Sequence, residues 1–283
     1  MAPLGIVAVV GAILSVVSFD RRPSRSRRTI LQFSLALVSW ALLWFATSSS
    51  FADRGMSYLP IHMVGHVIVM FLVPMGIIGS AWGRSTWWVM STRARRRLLR
   101  WWYVGRRWRA PRALVHPLTA AVVLNVVMIA SHTPRVFNAT MEHPWAMDWL
   151  MEPAFLLSGL YFFHFLVVGL PRRNRVRVRT QLVMVAVTMF EMLVLAMSMS
   201  IFTTSAWYQS MIVTTAMPGM ASVVRSPAVA FHQQQLAAAI LWICGDFWAV
   251  PIIVVAVRRL VVREGSIFAV LERQSDSLSR TPS

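Results

Sequence analysis

Ile61 to Met70 reads IHMVGHVIVM, an apolar run interrupted by two histidines four residues apart, with methionines at Met63 and Met70. In a helix that spacing puts His62 and His66 on one face, one turn apart, with Met70 a further turn along. Imidazole and thioether donors suit copper, Cu(I) above all, and suit magnesium or calcium poorly. Inside an apolar segment each imidazole also needs a partner, because water is scarce there. The same spacing is compatible with plain packing, so the residues around the pair have to be placed before its chemistry is read.

Those elements follow from composition. The 283 residues are 57% hydrophobic and 13% charged, far from the roughly one-quarter charged mixture of soluble domains. The fold class expected is all-α, a polytopic transmembrane helix bundle. Crossing about 30 Å of hydrocarbon takes roughly 17–25 apolar residues per helix. Seven runs qualify or nearly so: 4–19, 29–47, 59–82, 114–131, 149–170, 181–203 and 234–257. Their apolarity is continuous rather than alternating, which selects helices over a barrel. The first run has its arginines after it and no basic segment before it, so it reads as a retained helix rather than a secretory signal. The expected organisation is a seven-helix domain over 1–263, with an Arg/Trp-rich segment at 84–113, and a polar tail over 264–283.

Every basic residue is arginine, and the formal charge is +18. Such a charge in a soluble chain would suggest nucleic acid. Here 25 of the 28 arginines fall in alternate connections and the C-terminal tail, leaving Arg54, Arg135 and Arg225 on the other side. The bias predicts an external N-terminus and a cytoplasmic C-terminus, with no nucleic-acid partner. Tryptophan interleaved with arginine over 84–113 suits an amphipathic segment lying on anionic lipid at the cytoplasmic leaflet. The single cysteine, Cys244, excludes an intramolecular disulfide and any CxxC metal site.

On this topology five of the seven histidines gather at the outer face: His62 and His66 in helix three, His132 ending helix four, His143 in the next loop, and His232 before helix seven. His116 and His164 fall toward the cytoplasmic side. Methionines share the outward bias, with Met189, Met192, Met197 and Met199 along helix six and Met211, Met217 and Met220 after it. The candidate metal ligands are therefore His62, His66, His132, His143, His232, Met63 and Met70. Glu152, Glu191 and Asp246 lie within spans and should face the bundle interior, since a charged carboxylate in lipid costs about 2.5–3.5 kcal/mol on an insertion scale. Asn125 and His164 are candidate partners for them. Pro74, Pro153 and Pro251 predict kinks, with Pro74 close enough to the histidine turns to open the helix there.

The stretch IHMVGHVIVMFLVPMGIIGSAW resembles the histidine-bearing helix of the CtaG-like cytochrome c oxidase assembly factors. SHTPRVFNATMEHPWAMDWLMEPAFLLSGLYFF is similar to that family's HxP, HP and FLLxGLxFW segments, and QQQLAAAILW to its DQQLAGLIMW segment. The three stretches keep the family's order over about two-thirds of the chain, and His62, His66, His132, His143 and Glu152 occupy motif positions. The sequence departs from the pattern at Pro153, where the family usually has histidine, at Gln233, where it has an acidic residue, and at Phe163–His164, in place of a tryptophan.

The resemblance implies an integral-membrane factor for building a haem-copper oxidase, handling copper for its redox centres. The expected function is a non-enzymatic assembly factor in the plasma membrane of a bacterium that binds Cu(I) at the outer face and hands it to an oxidase subunit. Two alternatives stay open: a haem-binding electron-transfer bundle, which would show a Soret band, and a metal-free accessory subunit of a respiratory complex. No nucleotide-binding loop or activated-serine motif is present.

Overall fold

The computed structural model describes residues 3–21, 26–107, 116–168, 176, 178–211, 213–214, 223–224 and 226–264. Met217, Met220, Arg225, residues 108–113 of the Arg/Trp segment and the tail from 265 lie outside the described residues. Backbone groups in hydrocarbon can be satisfied within a single segment only by helix, and the expected all-α bundle is what the chain forms. Among the described residues six helices are long and apolar enough to cross a membrane: α1 Pro3–Asp20, α2 Arg27–Ala46, α4 Leu59–Gly79, α9 Met147–Val167, α10 Val178–Ser200, and α11 Pro227–Glu264 over Pro227–Arg258. A seventh crossing is made if α7 Pro117–His132 and α8 Pro134–Glu142 count as one span bent by 70°.

The bend has a local cause. Thr133 precedes Pro134 and is extended, with φ −66° and ψ 137°. The ring of a proline disfavours helical geometry in the residue before it, so α7 stops at His132 and α8 starts afresh. The expected outer loops are thereby more structured than their polarity suggested. Segment 48–58 contains α3 Ser49–Ser57, 132–148 contains α8, and α11 begins at Pro227, seven residues before the apolar run it carries. A two-residue antiparallel ladder pairs β1 Val213–Thr214 with β2 Val223–Val224.

α4 is the central helix, packed against α2, α9 and α11, and 67% of its span is buried against 28–50% of the other five. It is not regular. Ile68–Leu72 forms a π-helical turn just before Pro74. A proline removes the hydrogen bond to the carbonyl four residues back and crowds it, and a π turn absorbs that conflict. The carbonyl concerned is that of Met70, and Gly159 of α9 lies directly against it. A Cβ on Gly159 would collide with that oxygen and stand 2.7 Å from Pro74 Cγ. α9 repeats the device: Met147–Met151 is a π turn placed before Pro153. The third expected kink does not interrupt its helix, since α11 runs continuously through Pro251.

Below the histidines the core is aromatic, with Phe71 stacked on Trp248 at 5.4 Å and Phe162 and Phe163 edge-on to the same indole. The described part of the Arg/Trp segment is two helices, α5 Trp82–Val89 and α6 Thr92–Arg107, the second strongly amphipathic. α5 is pinned to α1 by Trp82 Nε1–H donating to Ser15 Oγ at 3.0 Å.

Candidate functional site

Three imidazoles from two helices meet. His62 and His66 sit one turn apart on α4 with ring centroids 4.3 Å apart, and His132, the last residue of α7, stands 5.4 Å from His66. All three are buried. Phe137 of α8 packs edge-on to His62 at 5.2 Å, and Phe155 of α9 to His66 at 4.6 Å. The proline bend makes this possible, because it ends α7 at the depth of the α4 histidines and folds α8 so that Phe137 closes over them.

His132 is held by its own helix end. Its Nδ1 lies 2.7 Å from the carbonyl of Met128 and 3.1 Å from Ser131 Oγ. A carbonyl only accepts, so Nδ1 carries the proton and, in the neutral ring, Nε2 presents its lone pair. That nitrogen is 3.3 Å from the sulfur of Met63. Two soft donors thus face each other, neither able to give the other a hydrogen. The free backbone carbonyl of His132 accepts from Tyr208 Oη at 3.0 Å, and the same hydroxyl reaches Met199 Sδ at 3.8 Å. Burial pushes the Tyr208 phenol up, which keeps it a donor.

The other two rings are uncommitted. His62 Nε2 and both nitrogens of His66 are buried without a hydrogen-bond partner. Losing a buried hydrogen bond costs about 1–3 kcal/mol per group, so three orphaned imidazole nitrogens side by side are either a large packing cost or a site shaped for a ligand. Among the described residues no three His, Cys, Asp or Glu side chains stand together at metal-ligand spacing. The donors assembled are two neighbouring imidazoles and one imidazole–thioether pair.

Of the other predicted ligands, Met70 is fully buried in the π turn beyond His66. His143 and His232 do not join the cluster. His143 is exposed at the end of α8, which the bend carries away from α7. His232 is exposed on α11, while its neighbours Gln233 and Gln234 take the buried positions. Gln234 closes the α10–α11 connection, donating to Met199 O at 2.7 Å and accepting from Trp207 N–H at 2.7 Å. Glu152 points inward as expected, with Oε2 buried, and so does Glu191, both of whose oxygens are buried without a partner. Asn125 is buried with Oδ1 unpartnered, so the bonds to Asn125 or His164 left open for Glu191 are not made. Asp246 is a correction: it is exposed, on the face that also carries Trp242, Ile243, Phe247 and Val250. Gly245 is the residue turned inward, since a Cβ there would sit 3.1 Å from Met189 Sδ, and one residue around the helix points Asp246 outward.

Sequence reasoning missed Tyr208, Phe137 and Ser131, which lie in or beside predicted loops. It also missed a cavity of about 550 Å³ that His62 and His66 line together with Asp53, Asp148, Glu152 and Phe155. The signal for it was the acidic placement: Asp53 and Asp148 border the two histidine-bearing segments in a chain with few acids.

No curated protein and no solved structure matches the chain. A family model matches residues 13–263, nearly the whole of the helical bundle, and by that match the chain belongs to the cytochrome c oxidase caa3 assembly factors.

Proposed function

We propose that this assembly factor carries Cu(I) for the oxidase, with His132 Nε2 and the thioether of Met63 as its close donor pair and the imidazoles of His62 and His66 standing beside them. The observation that supports this most directly is the pairing of His132 Nε2 with Met63 Sδ at 3.3 Å beside unpartnered imidazole nitrogens. A ligating histidine characteristically donates its other ring N–H to a backbone carbonyl, and His132 Nδ1 makes that bond to Met128. Thioether with imidazole is a soft, neutral set that favours Cu(I) over harder divalent ions. A single cation then replaces a repulsive lone-pair contact with two donor bonds.

Transfer proceeds by ligand exchange. The site offers no thiolate, so an incoming thiolate or histidine of an oxidase subunit outcompetes the thioether and takes the ion. No bond within the protein is made or broken beyond those to the cargo, in keeping with a non-enzymatic role. By the arginine bias the site faces the outside of a bacterial plasma membrane, where copper centres are assembled.

The double variant His62→Ala, His66→Ala tests the reading. Copper bound per purified protein and copper-dependent oxidase activity in the host should fall together, with the oxidase rescued in part by excess copper. Unchanged values for both would remove copper from the function and leave an accessory role in assembly.

A further inference from the structure

The cavity beside the histidines has a chemistry of its own. It is bounded by α3 and the ends of α2, α4 and α9, and at about 550 Å³ it exceeds many times the roughly 30 Å³ that one water occupies. A bare ion does not need such room; a hydrated or ligated one does. Three of the chain's ten carboxylates line it, Asp53, Asp148 and Glu152, and among the described residues no arginine does. In a molecule of net charge +18 that is a local reversal of sign. The carboxylates are graded in depth: Asp53 is exposed, Asp148 is half-buried, and Glu152 has an oxygen fully buried. At the inner end stand His62 and His66, 7% and 6% exposed, with nitrogens that have no partner. Met56 and Met147 add thioethers to the walls.

We propose that this cavity is a cation vestibule: Asp53 and Asp148 draw a soft cation, with its water or carrier ligands, from solution past Glu152 down to His62 and His66. The inference rests on the reading of the histidines as a Cu(I) site and adds the route and the source of selectivity by charge. An anion finds no cationic side chain in the lining. A neutral molecule gains nothing from the carboxylate series. A cation approaching from the opposite face meets the arginine blocks, and within the cavity the low-dielectric walls focus the attraction of Asp53 and Asp148.

That contrast gives the test its sign. With purified full-length protein in detergent and Ag(I) as a spectroscopically simple stand-in for Cu(I), in nitrate salts, the second-order rate of Ag(I) loading should fall as ionic strength rises. A rate that is flat or rises with salt, as screening of an overall positive protein would give, overturns the vestibule. Asp53→Asn with Asp148→Asn should slow loading at low salt by about tenfold or more, with the gap closing at high salt and the final Ag(I) per protein unchanged. Equal rates at low salt overturn it. A bulky maleimide on Ser50→Cys, in a Cys244→Ser background, should block loading, because Ser50 is exposed and lines the cavity; unimpeded loading overturns it as well. If the wild-type protein takes up no Ag(I), the copper reading itself has failed; if it loads without these dependences, only the vestibule has.

Discussion

At the scale of single residues the site is defined by what His132 cannot do. Its Nδ1 proton is committed to Met128 O, so Nε2 meets Met63 Sδ with a lone pair. Met63 therefore separates packing from chemistry more cleanly than any histidine. Leucine conserves its volume and apolarity, and swaps of that kind usually cost less than about 1.5 kcal/mol. Met63→Leu should leave the unfolding transition of the purified protein nearly where it is, yet raise the rate at which bound Cu(I) is lost to a chelator by at least tenfold, about 1.4 kcal/mol or more. Equal retention by wild type and variant would mean that the sulfur merely fills space. At this scale the sequence was partly legible. The His62/His66 pair was visible from spacing, and His132 from its position at a helix end. Tyr208, Phe137, Asp53 and Asp148 were not, because polar loop sequence does not reveal which of its side chains the fold brings to the site.

At the scale of elements, apolar length located the spans within a few residues, since hydrocarbon thickness sets it. Rotation about the helix axis was far less legible. When most positions are apolar there is no polar face from which to read orientation, and this is why Asp246 was expected inside and lies outside with Trp242 and Phe247, and why His232, expected among the ligands, is exposed while Gln233 beside it is buried. The irregularities were legible as prolines, though their form was not: α4 and α9 take π turns before Pro74 and Pro153 and stay continuous. Gly159 is the clearest dependent of this geometry. It is the point where α9 meets the carbonyl that Pro74 sets free, and a methyl group there has no space. Gly159→Ala, which would favour an isolated helix by about 1 kcal/mol, should instead destabilise this protein by about 1–3 kcal/mol, as overpacking does. Thermal unfolding in detergent checks the sign. A stabilised variant would show that α4 and α9 approach less closely than described.

For the whole molecule the governing asymmetry is charge. With the bent α7–α8 pair counted as one span the described residues make seven crossings, and an odd number would put the termini on opposite sides. The arginine bias predicts which side is which, because the translocation of short basic connections is disfavoured. The direction decides whether the histidines and their cavity open toward the outer face or toward the cytoplasm. The end of α2, α3 and the start of α4 form one rim of the cavity, and of that stretch only Arg54 is basic, whereas the α5–α6 end carries arginine after arginine. In whole cells a membrane-impermeant thiol reagent should therefore label Ser50→Cys in a Cys244→Ser background, and should label Ser91→Cys, which is exposed between α5 and α6, only after the membrane is opened. The reverse pattern would turn the bundle over, place the acidic vestibule in the cytoplasm, and require any cargo to be loaded from within.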